Sequence, residues 1–414
     1  MGKKDEKTAL PRLRFPEFIG QELHEVLLAD VTAESTIRNG DRLPSTSVMG
    51  VTKTEGLVPM EKRIIASDIA RYKIVRKNWF AYNPMRLNIG SIARWQGNDD
   101  ILVSPDYVVF QCLDDPHFGV EPRYIDQFRQ SSTWNALVKE GGDGGVRVRI
   151  YYKDLACLPL ALPPRAEQQR IADCLSSLDE LIAAQWRKVE ALKAHKRGLL
   201  QELFPREGES TPRHRFPDFR DGLEWEELTI GDIGEVITGS TPATSQREYY
   251  DGEYLFVSPG DISDMRLIKT TKTTLTEEGF AQCRPIKAWS VLFVCIGSTI
   301  GKVAQNIREC ATNQQINSVV PSPLFSGDFV YYLLLKEVEK IKKLAGKQAV
   351  PIINKTLFSS VKVFVPKLGE QNRIANCLSS LDTLIAGESE RLEALKTHKK
   401  GLMQGLFSAV EEES

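Results

Sequence analysis

Residues 167–204 and 370–407 are one 38-residue segment written twice, 203 positions apart, with 25 identities and no gap. The repeat preserves polar positions as well as apolar ones, pairing Cys174 with Cys377 and His195 with His398. Short periods of 20 to 50 residues mark solenoids, whereas a period near half the chain marks a duplicated domain. Such a chain can carry an internal pseudo-two-fold axis and suits a target that itself has two related parts.

Within the first copy Ile171, Leu175, Leu178, Ile182, Val189, Leu192, Leu199 and Leu203 recur in alternating steps of three and four, with Gln185 and Lys196 at two polar seam positions. The second copy repeats the pattern with Ile374, Leu378, Leu381, Ile385, Leu392, Leu395, Leu402 and Leu406. A sustained 3.5-residue period is the seam of a coiled coil, and neither copy contains proline. Each copy is therefore expected to form a helix of roughly 55 Å at about 1.5 Å per residue. In a symmetric antiparallel register Gln185 meets Glu388, a polar contact of the kind that fixes register.

The duplication reaches beyond the helices. Arg14–Phe18 (RFPEF) returns as Arg215–Phe219 (RFPDF), and each leader precedes a leucine-containing entry segment ending in Asp30 or Asp232. Apolar runs at 158–162 and 361–365 read as strands that stop at Pro163-Pro164 and Pro366, where proline removes a backbone donor. Between leader and strand, 107–110 and 291–296 read as buried strands, and 123–140 and 329–344 as helices. The expected class is mixed α/β, with globular segments at 15–163 and 215–366 and helical segments at 164–207 and 367–408. Outside the helices the two halves have diverged, as expected of modules that recognise different targets.

The sequence has 414 residues, 42% hydrophobic and 26% charged, which is ordinary for a globular chain. No apolar run approaches the roughly 18 residues of a membrane span, so a cytoplasmic, non-membrane protein is expected. The seven cysteines form no C-x-x-C pair and are read as reduced core thiols, with no metal site. The net charge is only −1, but basic residues gather at 61–100, 266–302 and 340–362, and the last of these holds six lysines and no acid. Segregation of this kind can present phosphates with a positive surface even when the total charge cancels.

Motifs for catalysis are incomplete. Gly297–Lys302 (GSTIGK) is one residue short of a phosphate-binding loop and is followed by Val303 where Ser or Thr would hold magnesium. A turn presenting Ser298, Thr299 and Lys302 to a phosphate backbone is the reading retained. Asn83-Pro84-Met85 lacks the second proline and the aromatic of an amino-methyltransferase signature. Gly141–Gly145 leads into an expected strand carrying Arg147 and Arg149 on one face, placed to meet phosphates. Asn313, Gln314 and Gln315 are amides of the type that pairs bidentately with adenine, although a capped turn also accounts for them.

The duplicated EQ-x-RIA-x-CLSSLD-x-LIA helix, each copy behind a proline-terminated strand, resembles the specificity subunit of Type I DNA restriction-modification enzymes. So do the runs at 78–93 and 104–110, TGSTPAT at 238–244, GSTIGK, and TNQQIN at 312–317. The resemblance spans nearly all of residues 15–407. It implies two target-recognition domains joined by two long antiparallel coiled-coil helices. The partners implied are double-stranded DNA, two modification (methyltransferase) subunits and, where present, two restriction subunits.

By the same resemblance no cofactor sits on this chain: S-adenosylmethionine belongs to the modification subunits, and ATP and magnesium to a restriction subunit. Expected DNA-facing residues are Arg86, Asn88, Arg94, Arg147, Arg149, Ser298, Thr299, Lys302, Asn313, Gln314, Gln315, Lys347 and Lys355. Helix pairing and subunit docking are assigned to Ile171, Leu175, Leu178, Ile182, Gln185, Ile374, Leu378, Leu381, Ile385 and Glu388. Two other classes stay open at this stage: a scaffold with two protein-binding modules on a coiled coil, and an enzyme whose site lies within one module.

Overall fold

Two uninterrupted helices, Arg165–Glu202 and Leu368–Leu406, carry the duplicated segments in the computed structural model of the chain. The structure describes residues 11–61, 65, 68–115, 119–140, 149–346 and 350–407. The chain divides into two compact units, Met1–Ala184 with Leu392–Ser414, and Gln185–Arg391. Each unit thus holds one globular module together with a segment of both long helices. The helix segments run antiparallel in the second unit, since Gln185 meets Glu388 and Lys196 meets Asp382, and in the first unit Asp179 meets Lys399.

Each module begins and ends in the same way. Strand His24–Leu27 pairs antiparallel with Pro159–Leu162, and Glu226–Thr229 pairs antiparallel with Lys362–Val365. A one-turn helix follows each entry strand and is closed by an aspartate: Asp30 accepts from Leu27 N and Asp232 from Thr229 N. At the exit, Gln168 Nε2 donates to Pro163 O and Gln371 Nε2 to Pro366 O, which seats the first turn of each long helix on the proline-ended strand.

The interiors differ. The first module contains a four-stranded sheet in the order Thr32–Glu34, Val108–Cys112, Phe80–Tyr82, Ile92–Arg94, beside the pairs Met49–Thr52 with Gly56–Pro59 and Lys73–Val75 with Ile101–Val103. The second contains a five-stranded sheet, Gly234–Thr238, Ile316–Pro321, Val291–Val294, Val303–Asn306, Leu267–Ile268, and a three-stranded sheet centred on Tyr250–Val257.

Each long helix is closely followed by a phenylalanine that plugs an aromatic cluster. Phe407 lies 5.4 Å from both Tyr124 and Phe128, and Phe204 lies 5.3 Å from Phe329 and 6.0 Å from Trp225. Edge-on and offset ring pairs of this spacing add to the burial of their large apolar area.

Several expectations need correction. The helix expected over 123–140 is two helices, Pro122–Phe128 and Ser132–Glu140, because Ser131 Oγ accepts from Trp134 N and starts a new one. Ile171 and Leu175 do not serve the helix seam alone, nor do Ile374 and Leu378. The first two are buried in the core of the first module beside Leu406, and the second two beside Phe358 in the core of the second. Leu178, Ile182, Leu381 and Ile385 are half-buried. Of the cysteines, Cys157 is exposed rather than in a core, while burial pushes the Cys295 and Cys310 thiols up to about 12 and leaves them unreactive.

Candidate nucleic-acid interface

In the second module the strand register sets where the loops go. Thr238 pairs with Asn317 and Val294 with Ile316, so segments 239–242, 295–302 and 313–315 all leave one end of the five-stranded sheet. Glycine lets them meet: Gly239 N donates to Ile316 O, and a Cβ on Gly239 would overlap the carbonyls of Thr312 and Asn313. A fourth segment joins them, with Gly297 N donating to Pro351 O and Ile353 N to Cys295 O. It leads directly to exposed Lys355, whose short helix is capped by Asn354.

The side chains at this end divide into committed and free. Lys302 is committed: its ammonium donates to Pro259 O at 3.1 Å and Ile262 O at 2.7 Å, tying down the neighbouring loop. The expectation that Lys302 contacts phosphate is therefore corrected to a structural role, because two of its three donors are already used. Asn313 and Gln315 lock each other, with Asn313 Nδ2 donating to Gln315 Oε1 and Gln315 N to Asn313 Oδ1, both at 3.1 Å. Gln314 and Ser298 are exposed and Thr299 is half-exposed. Thr241 Oγ1 donates to Gln314 Oε1 at 2.6 Å.

The GSTIGK run is a turn between strands. Gly297 and Gly301 take φ values of +90° and +91°, conformations suited to glycine, and strand Val303–Asn306 follows where a phosphate-binding loop would open a helix.

In the first module the comparable loop is 83–91, between strands Phe80–Tyr82 and Ile92–Arg94. It exposes Arg86 and Asn88, together with Met85 and Ile89. Ile150 N donates to Pro84 O, which brings exposed Arg149 alongside. Arg149 and Ile150 lie in no strand. Arg147 and Lys347 fall outside the described residues.

Arg94 is not available to a ligand. Its guanidinium, about 10% exposed, bonds Asp126 at 3.1 Å and Asn78 Oδ1 at 2.7 Å, while Asn78 sits at a φ of 67°. The DNA-facing assignment of Arg94 is corrected accordingly: the guanidinium is largely buried and its Nε and Nη1 are already paired within the module, so it presents little to a phosphate.

Each module is bolted to its long helix by the same residues. Arg14 of the first leader pairs with buried Glu167, and Arg215 of the second pairs with buried Glu370, through Nε at 2.9 Å and through the guanidinium tip at 2.7 Å. In both, the carboxylate's hydrogen bonds raise the arginine above its ordinary value. Sequence reading found both leaders and both helices but did not join them; the recurrence of the leader arginine with the helix glutamate in both halves was the available signal.

In the second unit Gln185 Nε2 donates to Glu388 Oε2 at 2.6 Å, and Lys188 reaches Glu388 Oε1 at 2.5 Å. Among the described residues no cluster of His, Cys, Asp and Glu is arranged to hold a metal ion. No helix there is long and apolar enough to cross a membrane.

A duplicated frame thus holds two unlike modules, each with an exposed loop end beside its sheet. Residues 222–397 match the family described as the Type I restriction modification DNA specificity domain. The MjaX type I restriction enzyme specificity subunit of Methanocaldococcus jannaschii is 24% identical over 370 residues, 82% of this chain and 80% of that protein. The MjaIX specificity subunit of the same organism is 28% identical over 189 residues, and the HindI specificity subunit of Haemophilus influenzae 32% over 148. These two matches span less than half the length of the relatives, 44% and 32% respectively.

The crystal structure of a Type I restriction-modification S subunit from M. genitalium shares the fold, with a TM-score of 0.62 at 13% identity, covering 98% of this chain and 100% of that one. Over these spans the chain is similar to Type I restriction-modification specificity subunits.

Proposed function

We propose that this chain is the DNA sequence-specificity subunit of a restriction-modification complex, recognising a bipartite duplex site with one module per half-site. The observation that carries this reading is the repetition of frame residues, including both Arg–Glu bolts, around modules whose sheets and loops differ. Modification subunits docked on the long helices would supply adenine methylation from S-adenosylmethionine. ATP and magnesium would enter only with restriction subunits, and this chain would position chemistry rather than perform it.

Duplex binding by the full chain should weaken linearly on a log–log plot against salt. Arg86→Ala, Arg149→Ala and Lys355→Ala should each flatten the slope by about one unit, since each lost phosphate contact releases fewer counterions. Binding that is absent, or indifferent to salt, would favour the adaptor reading. Methyl transfer by the pure chain would instead place an enzyme in one module.

A further inference from the structure

We infer that Gln314 is a base-reading side chain of the second module, that it takes an adenine in the major groove, and that Thr241 is its positioning residue. This deepens the DNA-recognition reading above and rests on it. The loop end formed by 239–242, 295–302 and 313–315 carries no acidic residue, as a surface approaching a polyanion requires. Its long polar side chains are Lys302, Gln314 and Gln315. Lys302 is consumed by two backbone carbonyls, and Gln315 gives its Oε1 to Asn313. Gln314 is exposed, and among the described residues its one hydrogen bond is that from Thr241 Oγ1.

That bond assigns the amide. A hydroxyl donating to Oε1 turns the oxygen toward Thr241, yet an amide oxygen has two lone pairs, so one stays open beside both Nε2 hydrogens. An open acceptor next to an open donor is the pattern that matches N6 and N7 of adenine. Thr241 therefore holds a flexible side chain in a reading orientation before the target arrives, which lowers the ordering cost of binding. The base beneath is rigid, because Gly239 and Ser240 are hydrogen-bonded to Ile316 and Thr312.

The test is selection of randomised duplexes by the full chain, sequencing the bound fraction for wild type and four variants. Gln314→Ala should flatten the preference for adenine at one position of one half-site by about tenfold or more, leaving the rest of the motif unchanged. Gln314→Glu should move that position toward cytosine, whose N4 donates to a carboxylate. Thr241→Val should weaken the same position less than Gln314→Ala does, and Gln315→Ala should alter no base. If both Gln314 variants select the wild-type motif, or change more than one position, the assignment is overturned. A wild-type chain that selects no motif would overturn the DNA reading itself, and this assignment with it.

Discussion

The two module-to-helix junctions use repeat-related carboxylates with unlike surroundings. In the first unit Asp179 accepts from Lys399 Nζ at 2.6 Å and from Gln127 Nε2 at 2.8 Å, on a carboxylate that remains 45% exposed. In the second, Asp382 accepts from Lys196 Nζ and from the Tyr332 hydroxyl, both at 2.5 Å, and is 22% exposed. Asp382 lies 203 residues after Asp179, and Lys399 lies 203 after Lys196. The frame thus supplies the same ion pair twice.

What differs is the module's own contribution. Gln127, itself buried, offers a single amide donor to Asp179. Tyr332 is fully buried, stacks under Lys196 at 5.3 Å, and touches Arg266, which also bonds Asp328 and Gln305. Burial and the neighbouring Asp382 raise the Tyr332 phenol well above its ordinary value and keep it a neutral donor. A module can therefore diverge if it still offers one donor to the frame aspartate, and the second module has built a deeper network around that donor.

The largest expected effect tests whether the shared bolts are equivalent. Glu167→Ala and Glu370→Ala should each destabilise their unit by about 3–5 kcal/mol, because each strands a largely buried arginine. Chemical denaturation followed by hydrogen exchange in each unit would measure both, and a silent substitution at either site would end the equivalence. Next, Asp382→Ala should cost about 2–3 kcal/mol, a charged hydrogen bond with little solvent competition. Asp179→Ala should cost less, about 1–2 kcal/mol, because its carboxylate is more exposed and buried Lys399 keeps a bond to Gln130 Oε1. Equal losses would mean that the added network in the second unit contributes nothing.

Tyr332→Phe, which removes only the hydroxyl, should cost about 1–2 kcal/mol and leave the first unit unaffected. Unchanged amide protection in the second unit would refute that.

The smallest effect concerns Glu388. Hydrogen bonds from Gln185 and Lys188 hold its carboxyl below the ordinary range. A depressed folded-state value means that its stabilisation is full at neutral pH and is lost as pH falls below the ordinary carboxylate range. Glu388→Gln should therefore narrow the stability difference between pH 7 and pH 3 relative to wild type, and identical pH profiles would show that the contact is not felt.

Much of the frame was legible because periodicity is a local property. The 3.5-residue pattern, the proline-ended strands and the 203-residue offset needed no knowledge of the fold, and the helices lie within two residues of the repeat bounds. The candidate site was less legible. Arg86, Asn88 and Arg149 look no different in sequence from Arg94, yet Arg94 is spent on Asp126, 32 residues away. Lys302 looked like a phosphate ligand until Pro259 and Ile262, some 40 residues earlier, were found against its ammonium.

By itself the sequence determined the duplication, the two long helices, the strand and proline before each, and the divergence of what lies between. Those follow from spacing and side-chain type along a short stretch of chain. Only the tertiary structure decided which charges are committed: Arg14 to Glu167 across 153 residues, Arg215 to Glu370 across 155, Lys196 to Asp382 across 186. A charged side chain carries no mark of its partner, and whether it binds a ligand or the protein depends on what folding brings within about 3 Å of it.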